Sequence, residues 1–286
     1  MAEDYLHRFM FGNLPVKGSL VRLSESWREV MSLARPSVSV LSILGETLCA
    51  SALLTSNIKF HGSVSLQIQS EGSMRLLLGQ CTNEGRVRGV VRMRQEKSAP
   101  VLDHCVLAIN LEPHTDGVLY QGIVEMDKRG LVPTLERYFL QSEQLATRFW
   151  LVADSSRCSG LMLQKMPATS PDPDGWNRLV HLAASVSASE LQTCDSTRLI
   201  GSLFHQEAVR LFSASDISFG CSCSKSRVSG MLHSLGCEEI VGLVEERGLV
   251  DVRCEYCGRN YQFDRVDVDR IFSGQYECAL SSSGIH

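Results

Sequence analysis

Phe219-Gly220-Cys221-Ser222-Cys223-Ser224 and, further along, Arg253-Cys254-Glu255-Tyr256-Cys257-Gly258-Arg259 are the stretches on which the fold of this chain turns. The first is a CxC and the second a CxxC, with thirty residues between Cys223 and Cys254. Two close cysteine pairs, separated by enough chain to fold back, are how a polypeptide gathers four thiolates around tetrahedral zinc. The CxC is unusual, because most structural zinc sites use a CxxC knuckle at both ends. Its short spacing also lets the two sulfurs reach each other once a metal leaves. The cluster therefore reads as a zinc site, one ion per chain on Cys221, Cys223, Cys254 and Cys257, with a second state as a pair of disulfides.

Outward from the cluster, the composition is that of a soluble globular protein. The chain has 286 residues, 44% hydrophobic and 21% charged, enough for one large domain and a smaller one. A formal charge of -4 provides no global attraction to nucleic acid or to an anionic membrane. Eleven cysteines suit a disulfide framework only in a small secreted chain, and an odd count cannot complete one. The first residues, Met1-Ala-Glu-Asp-Tyr-Leu-His-Arg8, lack a basic stretch followed by an apolar one, so no secretory leader is expected. Residues 38–54 lean apolar but carry Glu46 and several serines, which predicts a core helix and no membrane span. A reducing cytoplasm is the expected compartment.

The first 165 or so residues mix both periodicities. Residues 24–34 predict a helix opened by a Ser-Glu-Ser-Trp cap, and 38–57 a longer one with Leu41, Leu44, Leu48, Ala52 and Thr55 on a stripe. Strands are expected at 63–69, 74–80, 86–93, 105–111, 119–125 and 147–153, and a helix at 131–144. Helices and antiparallel-looking strands without regular alternation indicate an α+β domain. Residues 167–174, with three prolines and two aspartates, mark a boundary. Beyond it, Trp176, Leu179, Val180, Ala183 and Val186 lie at helical spacing. Ser187-Ala-Ser-Glu190 is a capping box, and Asp195 or Ser196 caps a further helix to His205. These helices carry little apolar surface of their own, so their folding depends on neighbours.

The four-cysteine site has blander alternatives. Four unrelated buried thiols would rarely fall in this spacing. A permanent structural zinc ribbon is the rival, and Lys225, Arg227, Arg253, Arg259 and Arg265 could give it a nucleic-acid contact. Glu238, Glu239, Glu255, Asp264, Asp267 and Asp269 interrupt any basic face. A thioredoxin-type site leaves the CxC unexplained. His233 and Cys237 lie between the pairs as competing ligands, His233 reading as an ordinary helix residue. Cys49, Cys81, Cys105, Cys158, Cys194 and Cys278 look solitary. Phosphate-binding, HExxH and GxSxG motifs are missing, so no enzyme is expected. Glu46, Glu136 and Glu143 read as solvated or locally paired carboxylates, and Arg148 as the anchor of a buried ion pair.

Residues 219–230 and 254–264 together resemble the heat-shock protein 33 family of redox-regulated holdase chaperones. The likeness extends to Leu44-Gly-Glu46, Lys59-Phe-His-Gly62, Tyr120-Gln-Gly-Ile-Val124, Tyr138-Phe-Leu-Gln-Ser-Glu-Gln-Leu145 and Leu203-Phe-His-Gln-Glu-Ala-Val-Arg-Leu-Phe212. It implies a substrate-binding α+β domain with antiparallel sheets (1–166), a metastable helical linker (167–216) and a small zinc-binding redox-switch domain (217–286). The four zinc positions carry over to Cys221, Cys223, Cys254 and Cys257; Cys237 and Cys278 depart from the family pattern. The resemblance implies an ATP-independent cytoplasmic chaperone that dimerises when oxidised and holds unfolding clients, with no nucleic-acid or membrane partner. If oxidation pairs Cys221 with Cys223 and Cys254 with Cys257, neither bridge joins the two halves of the site. The metal's long-range tie is then replaced by two local ones, and the segment unfolds. The strand faces at 64–68 and 74–78 are candidate client surfaces.

Overall fold

The computed structural model describes residues 4–59, 61–72, 74–94, 104–113, 118–169 and 172–273. It divides into two compact units, Met1–Gly220 and Cys221–His286. The first contains β1 (Tyr5–Phe11), β2 (Val16–Leu23), α1 (Glu25–Ala34), α2 (Val38–Thr55), β3 (Gly62–Ser70), β4 (Met74–Thr82), β5 (Arg86–Met93), β6 (Cys105–Pro113) and β7 (Tyr120–Glu125). It continues with α3 (Leu131–Gln141), β8 (Thr147–Ala153), β9 (Cys158–Lys165), α4 (Gly175–Ala184), α5 (Ala188–Thr193), α6 (Ser196–Leu203), β10 (Val209–Leu211), β11 (Ser215–Asp216) and β12 (Ser218–Phe219). Among the described residues, these strands make two sheets: β10-β1-β2-β9-β8, with β11 also on β1, and β12-β5-β4-β3-β6-β7. The α+β class is as expected. Pairing is antiparallel except for β12, which lies parallel to β5.

Helix α2 is the centre of this unit. It packs against β2, β8 and β9 of one sheet and β3, β4 and β5 of the other, which is why it is buried nearly all round. Two glycines permit the close approach. A Cβ on Gly45 would stand 2.3 Å from that of Ala153, and one on Gly79 would stand 3.0 Å from the α2 backbone at Thr47 and Leu48. Thr47, Ser51 and Thr55 bury their hydroxyls by returning hydrogen bonds to α2 carbonyls at 2.6–2.8 Å. The apolar stretch is therefore a core helix, and no helix among the described residues is long and apolar enough to cross a membrane.

Strands β1, β2 and β9, and the short β10, β11 and β12, were not expected. The expected cap of α1 is also supplied differently. The Ser24 side chain makes no capping bond; the Asp4 carboxylate, before β1, accepts the amides of Ser24, Glu25 and Ser26. A carboxylate there also complements the helix dipole.

The break at 167–174 includes Ser170 and Pro171, which lie outside the described residues. Helices α4–α6 follow it with the expected caps: the Ser187–Glu190 capping box on α5, and Asp195 accepting the Arg198 amide on α6. Their apolar residues Leu179, Leu191, Leu199, Ile200 and Phe204 share a core with Phe9, Phe11, Leu20, Leu161 and Leu163. The Phe204 ring meets Phe11 edge-on at 5.0 Å. Arg22 of β2 donates to the carbonyls of Leu191 at 2.9 Å and Glu190 at 3.2 Å. The neighbour on which these helices depend is thus the first sheet.

The second unit contains α7 (Lys225–Leu235), α8 (Cys237–Arg247), β13 (Val250–Arg253), β14 (Asn260–Phe263) and α9 (Arg265–Ile271). Ser224 and Asp264 cap α7 and α9 by accepting the amides of Arg227 and Asp267. Its core is small: Leu232, Ile240, Val244, Val250, Tyr261, Phe263, Val268 and Phe272.

Candidate metal centre

The β13–β14 hairpin sets up half of the site. Arg253 pairs with Asn260, and residues 254–259 form the connecting turn, closed by the Cys254 amide to the Arg259 carbonyl and the Gly258 amide to the Cys254 carbonyl, both 2.8 Å. Gly258 turns at φ +68°, a conformation that costs a residue with a Cβ. Cys254 and Cys257 therefore project from a knuckle. Cys221 and Cys223 come from the irregular stretch before α7, where Arg227 bonds the Ser222 hydroxyl.

The four Sγ atoms converge within 4.8 Å of one another, the one such cluster among the described residues. Cys221 and Cys254 are 3.6 Å apart, and Cys223 and Cys257 3.3 Å. A tetrahedral zinc with bonds of about 2.3 Å would space its sulfurs about 3.8 Å apart, so the quartet is nearly at that size. Both of these contacts cross between the CxC and the CxxC. All four cysteines are partly exposed, within reach of small oxidants.

The donor chemistry also fits a cation. Burial opposes ionisation at Cys223, but hydrogen bonds from Tyr261 and the neighbouring thiols outweigh it and bring the group down to about 7. The Tyr261 hydroxyl donates to Cys223 Sγ at 3.1 Å. Burial, with hydrogen bonds to neighbouring cysteines, raises Cys221 and pushes Cys257 up to about 12. Cys223 thus ionises readily, whereas Cys221 and Cys257 hold their protons. Four thiolates at these separations need a cation among them.

The competing ligands stand apart from this quartet. His233 lies on α7 and stacks on Phe272 at 5.4 Å. Cys237 begins α8 and is disulfide-bonded. Cys278 lies outside the described residues. Cys49, Cys81, Cys105 and Cys158 are buried, and Cys194 is partly so. Cys49 and Cys158 are not solitary: their thiols hydrogen-bond in the core, where burial and this contact hold Cys158 well above the ordinary thiol range.

The remaining polar residues take local partners. Lys225 pairs with Asp267 at 2.9 Å, and Arg265 with Glu245 and Asp269 at 3.1 Å, so these basic side chains near the site are engaged with acids. Arg148 pairs with Glu136 but is half exposed. Glu143 accepts hydrogen bonds from Tyr120 and Tyr138, and Glu46 from Ser42. The Tyr261–Cys223 hydrogen bond and the Asp4 cap had no signal in residue spacing.

Comparison with known proteins extends the picture. A family profile described as Hsp33 protein matches residues 4–264. The 33 kDa chaperonin of Nitrosococcus oceani is 39% identical over 286 residues, covering 98% of each chain. That of Azotobacter vinelandii is 40% identical over 283 residues, covering 95% of each. The crystal structure of the 33 kDa chaperonin (heat shock protein 33 homolog) from Thermotoga maritima superposes with a TM-score of 0.78 at 20% identity, over 95% of this chain and 99% of that one. At that identity the likeness speaks for the fold.

Proposed function

The chain belongs to the Hsp33 family of chaperones, and on that premise we propose that it is an ATP-independent holdase switched on by oxidation of its four-cysteine centre. The observation that carries this reading is the convergence, within 4.8 Å, of sulfurs from two stretches thirty residues apart. Cys221, Cys223, Cys254 and Cys257 would hold one zinc ion, which when bound keeps all four sulfurs as thiolates and ties the two stretches together. An apparent stabilisation of about 10–16 kcal/mol is typical of such ties. For a unit of this size with so small a core, that contribution decides whether it folds.

Oxidation acts on the sulfurs. A thiolate attacks peroxide; the O–O bond breaks, one oxygen stays on sulfur as a sulfenic acid, and the other leaves as hydroxide. A neighbouring thiol then displaces the sulfenic oxygen as water and closes a disulfide. Pairing Cys221 with Cys223 and Cys254 with Cys257 gives rings of three and four residues, each contributing roughly 2 kcal/mol of chain entropy. Neither ring joins the CxC to the CxxC. Pairing across the halves, along the Cys221–Cys254 and Cys223–Cys257 contacts, would preserve the tie, so the choice of partner is the crux of the switch. With local pairing, 217–286 unfolds, the linker at 167–216 loosens, and apolar surface of the 1–166 domain becomes available to clients.

In this reading the oxidised protein dimerises, works in the cytoplasm, and returns to rest on reduction and metal rebinding. The test is to treat the zinc-loaded protein with peroxide at mild heat and to follow zinc release, disulfide connectivity by peptide mapping, and suppression of client aggregation. Zinc release with local disulfides and gain of holdase activity is expected. Zinc retention, or release without that gain, overturns the reading.

A further inference from the structure

We propose that the outer edge of β1 is a docking site for extended, apolar-rich segments of partly unfolded polypeptides, and that residues 208–220 occupy it as a built-in stand-in. The partner class rests on the holdase reading, whereas the occupied edge does not.

The stand-in is visible bond by bond. The Gly12 amide donates to the Ala208 carbonyl at 2.7 Å, the Phe212 amide to Arg8 at 2.9 Å and the Ile217 amide to Asp4 at 3.1 Å. Between these, Leu211 pairs with Phe9, Val209 with Phe11 and Asp216 with Tyr5. The same strap then crosses to the second sheet, where the Ser218 and Gly220 amides donate to the carbonyls of Gly85 and Val87 at 2.9 and 3.0 Å. It thus covers the edges of β1 and β5 in turn.

Its grip is shallow. Within 208–220 only Ile217 is buried; Val209 and Leu211 lie partly exposed against the cluster of Phe9, Phe11 and Phe204. Ile217 anchors its far end in the main core, with Phe219 packed beside it; along β1 the strap is held by main-chain hydrogen bonds and two half-buried side chains, and any extended chain can supply such bonds. Without the strap, β1 would present a row of unpaired amides and carbonyls beside an apolar face, which is the template for strand addition. The spacing of Val209 and Leu211 sets the preference: apolar side chains two residues apart. Cys221 follows the strap directly in the chain, so a change at the cysteine centre acts on its end.

The test uses the full-length, reduced, zinc-loaded chain with the double substitution Val209→Ser and Leu211→Ser, which weakens the strap and leaves the cysteines untouched. The probe is a fluorescein-labelled peptide of residues 207–213, read by anisotropy. The variant, with zinc content and the melting of its first unit verified, is expected to bind at least about tenfold more tightly than wild type without any oxidant. The same peptide carrying Arg210→Pro, which lacks the amide facing Met10, should lose that gain, while Arg210→Gln keeps it. Peroxide-treated wild type supplies a second route to the uncovered edge if the variant folds poorly. Equal binding by variant and wild type, indifference to the proline, or self-association of the variant without peptide binding would overturn the proposal. Failure of wild type to release zinc under peroxide would instead count against the redox reading, and the variant's result would stand apart from it.

Discussion

The two units solve the problem of staying folded in different ways. Met1–Gly220 buries a long helix between two sheets and covers the other face of the first sheet with α4–α6, so its apolar core draws on residues from Leu6 to Ile217. Cys221–His286 gathers one small cluster around Phe263 and sets four sulfurs beside it. A core made of many contacts loses stability in increments as contacts are removed. A unit dependent on one polar centre responds to chemistry at that centre, and responds nearly all at once. The difference teaches where a switch of the proposed kind would sit: in the unit whose core is too small to replace a lost tie.

The sharpest way to break the contrast is Cys254→Ser. It should abolish tight zinc binding and remove most of a contribution of about 10 kcal/mol or more, unfolding the second unit alone. Calorimetry with metal analysis should show the transition of the first unit unchanged. Phe204→Ala tests the other side. Emptying the space beside Phe9 and Phe11 should cost the first unit about 3–5 kcal/mol while zinc content stays at one per chain, as denaturant melts and metal analysis would show.

Acid should separate the units more gently. Cys221 and Cys257, both raised, keep their protons near neutrality, and metal must displace them. Each protonated thiol weakens the apparent zinc affinity by about tenfold per pH unit as pH falls, a trend that chelator competition between pH 8 and 6 should resolve. The sign is fixed: stability lent by zinc is greatest at high pH and is lost on acidification. Ser187→Ala, which removes the α5 capping box, should cost only about 1 kcal/mol, and only in the first unit. Thermal denaturation of the zinc-loaded chain would show it as a small shift.

Legibility in the sequence followed the same division. Strand β3 alternates in residue type, with Val64, Leu66 and Ile68 in the apolar core and the polar Ser63, Ser65, Gln67 and Gln69 between them, β5 and β8 alternate in part, and the bounds of all three were nearly recovered. Strand β9 is buried at every position but its last and β2 at all but Lys17, with helices on both faces, so neither shows the alternation that betrays a strand. Strand β1 was missed because its two faces serve two different cores, Leu6 in one and Phe9 and Phe11 in the other. Caps closed within four residues, such as Ser187 with Glu190, could be read directly. The cap from Asp4 to α1 could not, because it spans twenty residues of chain. The four-cysteine cluster was legible because sulfurs that converge on one point come in closely spaced pairs along the sequence. Tyr261 was not, since a hydrogen bond to Cys223 demands only proximity in the folded unit.

The most direct measurement is amide hydrogen exchange, followed by mass spectrometry, on the zinc-loaded chain before and after peroxide. Protection across α7, α8, β13 and β14 should collapse once the sulfurs are oxidised, while α2, β3 and β4 keep theirs. Continued protection of the α7–β14 segment after the zinc has gone would contradict the account.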